Sequence, residues 1–213
     1  RGWFVGKDIS AIWDHEFIGI WQEDEAEEAA KYGQQPGDAK VRDVNGDYKI
    51  TQEDKVFLGQ ETPKFRWSFR NEFTLFRNWD ISLNLYSQMG HKQSTTEYLN
   101  FFDNLGDYSN TYKREYWTPE NKSNSYARLK STRPSNINPK KVINKGFIRL
   151  ENISVSYRVP QQFARKLMAK EISIYGTVRN VAVWAFDKEW DYWDPETKGL
   201  LPRTFTFGAS ITF

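Results

Sequence analysis

The densest run of ligand-type oxygens in the chain is DVNGDYKITQED, from Asp43 to Asp54. Side-chain oxygens at Asp43, Asn45 and Asp47, the backbone carbonyl of Lys49, Thr51 acting through a water, and the Asp54 carboxylate fall at positions 1, 3, 5, 7, 9 and 12 of an EF-hand-type loop. A hard cation needs that spacing, because alternate residues of a tightly curled loop turn their oxygens inward. The apolar Ile50 at position 8 then fastens the loop to the body. Three carboxylates with carbonyl oxygens favour Ca²⁺, held in a structural role. Two residues depart from the pattern: Tyr48 stands at position 6, where Gly makes the sharp turn, and Gly46 stands at position 4. A non-Gly residue in the left-handed region costs about 1 to 2 kcal/mol, so the turn is expected to be reshaped. The competing reading is an Asn/Asp/Gly-rich turn that holds no ion.

The remaining chemistry-bearing residues are more scattered. EDEAEEAAKYG, from Glu23 to Gly33, reads as a short acidic helix ending on Gly, its carboxylates serving a solvated face and the helix dipole rather than a glycosidase pair. His15 and His91 stand alone, with no Ser or acid at a triad spacing, so no catalytic residue is assigned and no enzyme is expected. Aromatic residues crowd two stretches: Tyr98, Phe101, Phe102, Tyr108, Tyr112, Tyr116 and Trp117 in one, and Trp184, Trp190, Tyr192 and Trp193 in the other. Flat rings flanked by Asp and Asn suit sugars or peptides, which makes Tyr116, Trp117, Trp190, Tyr192, Trp193 and Asp194 the candidate ligand contacts. Packing between loops, or an aromatic girdle at a membrane interface, is the alternative use of the same residues.

All of these candidates lie between segments whose side chains alternate. FRWSFRNEFTLFR puts Phe65, Trp67, Phe69, Phe73 and Leu75 on one face and Arg66, Ser68, Arg70, Glu72 and Thr74 on the other. WDISLNLYSQM restarts the pattern after Asn78, which predicts a tight hairpin. Further strands are predicted at Phe147–Val159, at Glu171–Val183 and along RTFTFGASITF to Phe213, and an earlier, less regular one between Ile9 and Trp21.

Composition narrows the class. Aromatic residues make up 16% of the chain, yet no stretch approaches the roughly 20 apolar residues that a membrane helix requires. The mean hydropathy of -0.76 excludes helical spans but not barrel strands, in which half of the side chains are polar. Charge is nearly balanced at +2 and dispersed, which argues against nucleic acid, and the absence of cysteine removes disulfides and thiolate metal sites. The chain opens on Arg1 in mid-pattern, as a segment whose export signal lies upstream would.

The connections alternate in length. Backward from the C-terminus they are long (184–202), short (160–170), very long (90–146), minimal (around Asn78) and long again (22–64). Up-and-down outer-membrane barrels combine short periplasmic turns with long extracellular loops, so the last strand is expected to end in the periplasm and the three long loops to face outside. Six strands leave two edges unpaired, and the rest of such a barrel must come from elsewhere.

Gly19 to Leu75, YWTPEN (Tyr116 to Asn121), FIRLENISVSYRVP (Phe147 to Pro160), YGTVRNVAVW (Tyr175 to Trp184), DPE (Asp194 to Glu196) and RTFTFGASITF together resemble the C-terminal region of SusC-like TonB-dependent transporters of Bacteroidetes. The resemblance covers nearly the whole chain. It implies an all-β fold: the C-terminal strands of an antiparallel transmembrane β-barrel, 22-stranded in the family, with the plug and earlier strands outside residues 1–213. It further implies residence in the bacterial outer membrane, a SusD-like lipoprotein on the extracellular loops, and uptake of glycans or peptides driven through TonB. Family members more usually carry Gly where Tyr48 stands, and the terminal Phe213 resembles the signal read by the barrel-assembly machinery. The competing class is a soluble, calcium-stabilised β-sandwich that binds carbohydrate.

Overall fold

The computed structural model describes residues 2–95, 115–190 and 193–213. Its strands are β1 (Ala11–His15), β2 (Phe17–Ile20), β3 (Ala39–Val41), β4 (Lys55–Gln60), β5 (Phe65–Leu75), β6 (Trp79–Met89), β7 (Lys92–Thr95), β8 (Lys141–Asn144), β9 (Phe147–Arg158), β10 (Glu171–Ala185) and β11 (Thr204–Thr212), with short helices α1 (Ala26–Lys31) and α2 (Gln161–Lys166). They form two compact units, one of residues 1–62 and 92–143, the other of residues 63–91 and 144–213.

The second unit is a five-stranded antiparallel sheet in the order β11-β10-β9-β6-β5. All five alternating segments of the sequence become its strands. Pairing register lines up side chains of one kind across the sheet. One row runs Arg70, Asn84, Asn152, Arg179 and Thr204; another, on the opposite face, runs Phe73, Ile81, Val155, Gly176 and Phe207. A slip of one residue anywhere would mix the two faces. The apolar face is left open: Phe65 is 59% exposed, Phe205 60% and Phe207 81%. A soluble domain buries such a face, so this one requires an apolar surrounding.

β5 and β6 have 11 residues each. At about 3.3 Å per residue and a tilt near 40°, such a strand rises roughly 25 Å, the height of an outer-membrane apolar band. The turn between them is closed by the Asn78 N–H to the Leu75 carbonyl at 3.2 Å, and its central residues Phe76 and Arg77 both have positive φ (49° and 66°), as a hairpin turn of matching twist demands. Bulges interrupt β9 at Glu151 and β10 at Asn180 and Val181. The connection from Pro160 to Lys170 folds as α2, whose Ala164 packs on Ala169 and Ile172. Tyr175 lies across Gly208 on the polar face, where a Cβ would sit 2.4 Å from its ring.

The strand expected between Ile9 and Trp21 takes a different course. It splits into β1, which pairs with β4, and β2, which pairs with β3, so five strands rather than six form the large sheet among the described residues. Five or four residues are too short to cross a bilayer. The first unit is organised instead around Ile20, Ala39, Trp117 and Ala127, with Phe17 and Tyr126 against them. Asp38 is fully buried there and accepts hydrogen bonds from Arg128 Nε (2.9 Å) and the backbone N–H groups of Thr132 (2.7 Å) and Gln35 (3.0 Å). Gly37 allows this closeness: its φ is +89°, and a Cβ would meet the Trp117 ring at 2.5 Å.

Candidate cargo contacts and cation loop

The loop from Asp43 to Asp54 is laid out by hydrogen bonds from its own backbone. Asp43 Oδ1 accepts from the Gly46 N–H (2.7 Å) and Oδ2 from the Tyr48 N–H (2.9 Å). Asn45 accepts from Asp47, and Asp47 from Lys49 at 2.8 Å. Asp54 reaches back across the loop, taking the N–H groups of Val44 (2.9 Å) and Thr51 (2.7 Å). Burial alone raises the Asp54 carboxyl, and these backbone bonds more than reverse that, holding it below the usual carboxylate range. Ile50 is buried as expected.

The expected reshaping of the turn does not occur. Tyr48 itself takes φ 61°, the left-handed conformation that Gly would have supplied. Contacts offset the strain: the Tyr48 ring meets Tyr32 edge-on at 5.5 Å, and the Lys31 ammonium lies 4.9 Å from its centre. Tyr32 in turn donates to Asp43 Oδ2 at 3.3 Å, and burial, then the Asp43 charge, pushes its phenol up to about 12. Asn45 and Asp47 stay exposed, and among the described residues no three carboxylate or imidazole groups are gathered around one point. His15, buried in β1, donates Nε2–H to the Thr51 carbonyl at 2.6 Å.

The aromatic candidates are distributed differently from the expectation that they face cargo. Trp117 is buried in the first unit's core and donates Nε1–H to Gln22 at 3.0 Å. Trp190 is buried in the second unit, its Nε1–H on the Asn144 carbonyl at 2.8 Å. Both rings are consumed by packing, because each also has a backbone or amide acceptor that satisfies its N–H in the interior. Tyr116 keeps a partly exposed ring and Trp193 is half-buried. Tyr98, Phe101, Phe102, Tyr108, Tyr112 and Tyr192 lie outside the described residues. The acidic segment takes its solvated form: Lys31 pairs with Glu28, Lys40 with Glu25, and Lys122 with Glu23.

Asp194 is also buried, and it belongs to a network that no local motif announced. Arg149, on the polar face of β9, donates Nη2–H to Asp194 Oδ2 at 2.6 Å, while Asp194 Oδ1 accepts the N–H groups of Glu196 and Thr197 at 3.0 Å. Glu196 then receives the Tyr86 hydroxyl at 2.5 Å and the Gln88 amide at 2.9 Å, both from β6. The last long connection is thereby tied to the polar face of two strands. The one legible signal was an Arg inside an alternating strand, on the side where a charge needs a partner.

No family model matches the chain. It is 25% identical over 229 residues to TonB-dependent receptor P26 of Formosa agariphila, covering 98% of this chain and 23% of the relative. It is 23% identical over 227 residues to TonB-dependent receptor P3 of the same organism, covering 98% and 22%. The fold matches the structure of the RagAB peptide transporter with a TM-score of 0.64 and 15% identity, over 95% of this chain and 22% of that one. The open-open state of the RagAB peptide importer matches at 0.63 over all of this chain and 25% of that one, again at 15% identity. The chain thus spans about a quarter or less of the proteins it matches. Sequence relatives and fold agree with the resemblance carried by the strand segments: over nearly all of its length the chain is similar to TonB-dependent receptors, and its fold matches part of the RagAB transporter.

Proposed function

We propose that the chain forms part of the wall of an outer-membrane, TonB-dependent importer of glycans or peptides, working with a SusD-like surface lipoprotein. The observation that carries this reading is the five-stranded sheet, whose register separates an open apolar face from a continuous polar one over the height of a bilayer. The apolar face meets lipid and the polar face lines the lumen. Long connections after β6 and β10 face outside, the turn at Phe76–Arg77 and α2 face the periplasm, and β11 ends there. Similarity to proteins named as receptors and as a peptide transporter supports import and names no catalytic role. No observation favours the soluble carbohydrate-binding sandwich, in which a second sheet would cover Phe205 and Phe207.

The Asp43–Asp54 loop is assigned a structural Ca²⁺. Donor types and spacing support this: the Asp43 and Asp47 carboxylates, the Asn45 amide, the Lys49 carbonyl, Thr51 and Asp54 keep the one-three-five-seven-nine-twelve spacing, and Tyr48 holds the turn a Gly would make. The ion would neutralise carboxylates now held by backbone N–H groups and by the Tyr32 and Thr51 hydroxyls, and so stiffen the outer connection. It supplies no chemistry to transport.

The full-length protein, expressed in its natural host or a close relative, is expected in the outer-membrane fraction and required for growth on one class of oligomer, with growth lost when the TonB complex is disabled. Recovery of the protein as a soluble species, with growth unaffected by its deletion on every glycan and peptide tried, overturns the reading.

A further inference from the structure

The first unit contains a cleft of about 400 Å³ lined by none of the cation-loop residues or candidate ligand contacts. Its walls come from the junction of β1 and β2, the end of β3, and strands β4, β7 and β8, which bring Glu16, Phe17, Arg42, Phe57, Lys92 and Lys141 to one opening. The volume lies in the range of sites that hold small ligands.

Charge selects what fits. The lining holds three cations and one carboxylate, and that carboxylate is already engaged: Arg42 Nη1–H donates to Glu16 at 3.0 Å, with the Arg42 N–H on the Glu16 carbonyl at 2.9 Å fixing the two chains side by side. Arg42 spends one of its five side-chain donors on this bond, so its planar fork keeps donors for a second carboxylate. Lys92 lays its stem across β4 at Gly59, where a Cβ would come within 2.8 Å of Lys92 Cδ. The Gly therefore gives the Lys92 side chain room beside the cleft that it lines. Lys141, whose ammonium lies 5.8 Å from the centre of the Tyr126 ring, adds a third positive charge from β8, and Phe17, Val56, Phe57, Leu58 and Val142 complete the lining with apolar residues. An anion with an apolar or ring-shaped body is the ligand this combination recognises.

We propose that the cleft is an anion subsite for cargo, which binds a carboxylate of an acidic oligomer between Arg42 and Lys92 while the body of that unit rests on the apolar wall. This rests on the importer reading, and it names the cargo as carboxylate-bearing, from either a uronic-acid oligosaccharide or an acidic peptide.

The test uses the detergent-solubilised full-length protein and isothermal titration with four probes: trigalacturonate, a neutral trisaccharide, tri-glutamate and tri-alanine. One acidic probe is expected to bind at least about tenfold tighter than its neutral counterpart at low salt, and the one that does so identifies the source of the carboxylate. Lys92→Gln, and Lys92→Gln with Lys141→Gln, leave the Glu16–Arg42 pair in place and are expected to shrink that gap stepwise towards twofold. Equal binding of acidic and neutral probes, no binding of either acid, or a gap unchanged in the double variant overturns the subsite. An outer-membrane protein that fails in this way still imports; a soluble protein that passes keeps the subsite and loses the importer.

Discussion

Arg149 Nη2 lies 2.6 Å from Asp194 Oδ2, and both side chains are almost wholly buried, 2% and 5% exposed. The pair joins β9 to the last long connection on the polar face of the sheet, with Glu196 3.5 Å away as a second carboxylate. A buried ion pair adds little over an apolar substitute, but removing one member leaves the other charged and unpaired at a cost of about 3 to 5 kcal/mol.

Arg149→Ala is therefore expected to lower the thermal midpoint of the solubilised full-length protein and to open the connection around Asp194 to limited proteolysis. Arg149→Ala with Asp194→Ala should recover part of the loss. Additive losses in the double variant would show that the two side chains are not coupled.

Calcium should stiffen the first long connection. Adding Ca²⁺ after chelation is expected to raise resistance to proteolysis near Asp43–Asp54, and Asp43→Ala with Asp47→Ala to abolish the response. No response in the parent protein, or an unchanged one in the variant, rejects the ion. Tyr48→Gly relieves about 1 kcal/mol of left-handed strain while losing the contacts to Tyr32 and Lys31, so its net effect on loop stability should stay within about 1 kcal/mol.

His91, buried just after β6, gives a pH dependence of known sign. Burial first, then the nearby Lys145 and Arg66 charges, pushes its imidazole below 6.5. The folded form then binds fewer protons than the unfolded chain, so the contribution is intact above about pH 6.5 and declines as pH falls below it, until the depressed folded value is passed. Thermal midpoints at pH 7.5 and 5.5 should differ less in His91→Gln than in the parent. An identical pH dependence in both would rule out His91 as the source.

The two faces of β11 should answer oppositely to charge. Phe207→Arg places a cation on the apolar face and is expected to cost about 2 to 4 kcal/mol near the middle of a bilayer, whereas Thr206→Arg, one residue away on the polar face, should cost less than about 1 kcal/mol. Refolding into lipid vesicles measures both, and equal losses would contradict the assignment of faces.

Gly37→Ala tests the first unit's core. A positive φ and a Cβ 2.5 Å from the Trp117 ring leave no room for relaxation on either count, so a loss of at least about 2 kcal/mol is expected, read by intrinsic Trp fluorescence and proteolysis.

The alternation of FRWSFRNEFTL, WDISLNLYSQM and RTFTFGASITF was enough to place the strands of the large sheet and to say which side chains share a face, because a strand's period of two is a local property of the backbone. The turn from Asp43 to Asp54 was equally legible as a turn, since the Asp and Asn side chains that lay it out bond backbone groups of near neighbours in the chain. Other features depended on residues distant in sequence. The segment from Ile9 to Trp21 alternates weakly enough that its partners β4 and β3 decide its fate, and not the strand that follows. Trp117, Trp190 and Asp194 carry the types that bind ligands, yet Ala39 and Ala127, the Asn144 carbonyl and Arg149 claim them first. A side chain's type states what it is able to bind; only the folded chain decides whether a protein group or a ligand reaches it, since burial against a partner 45 or 46 residues away leaves no local trace.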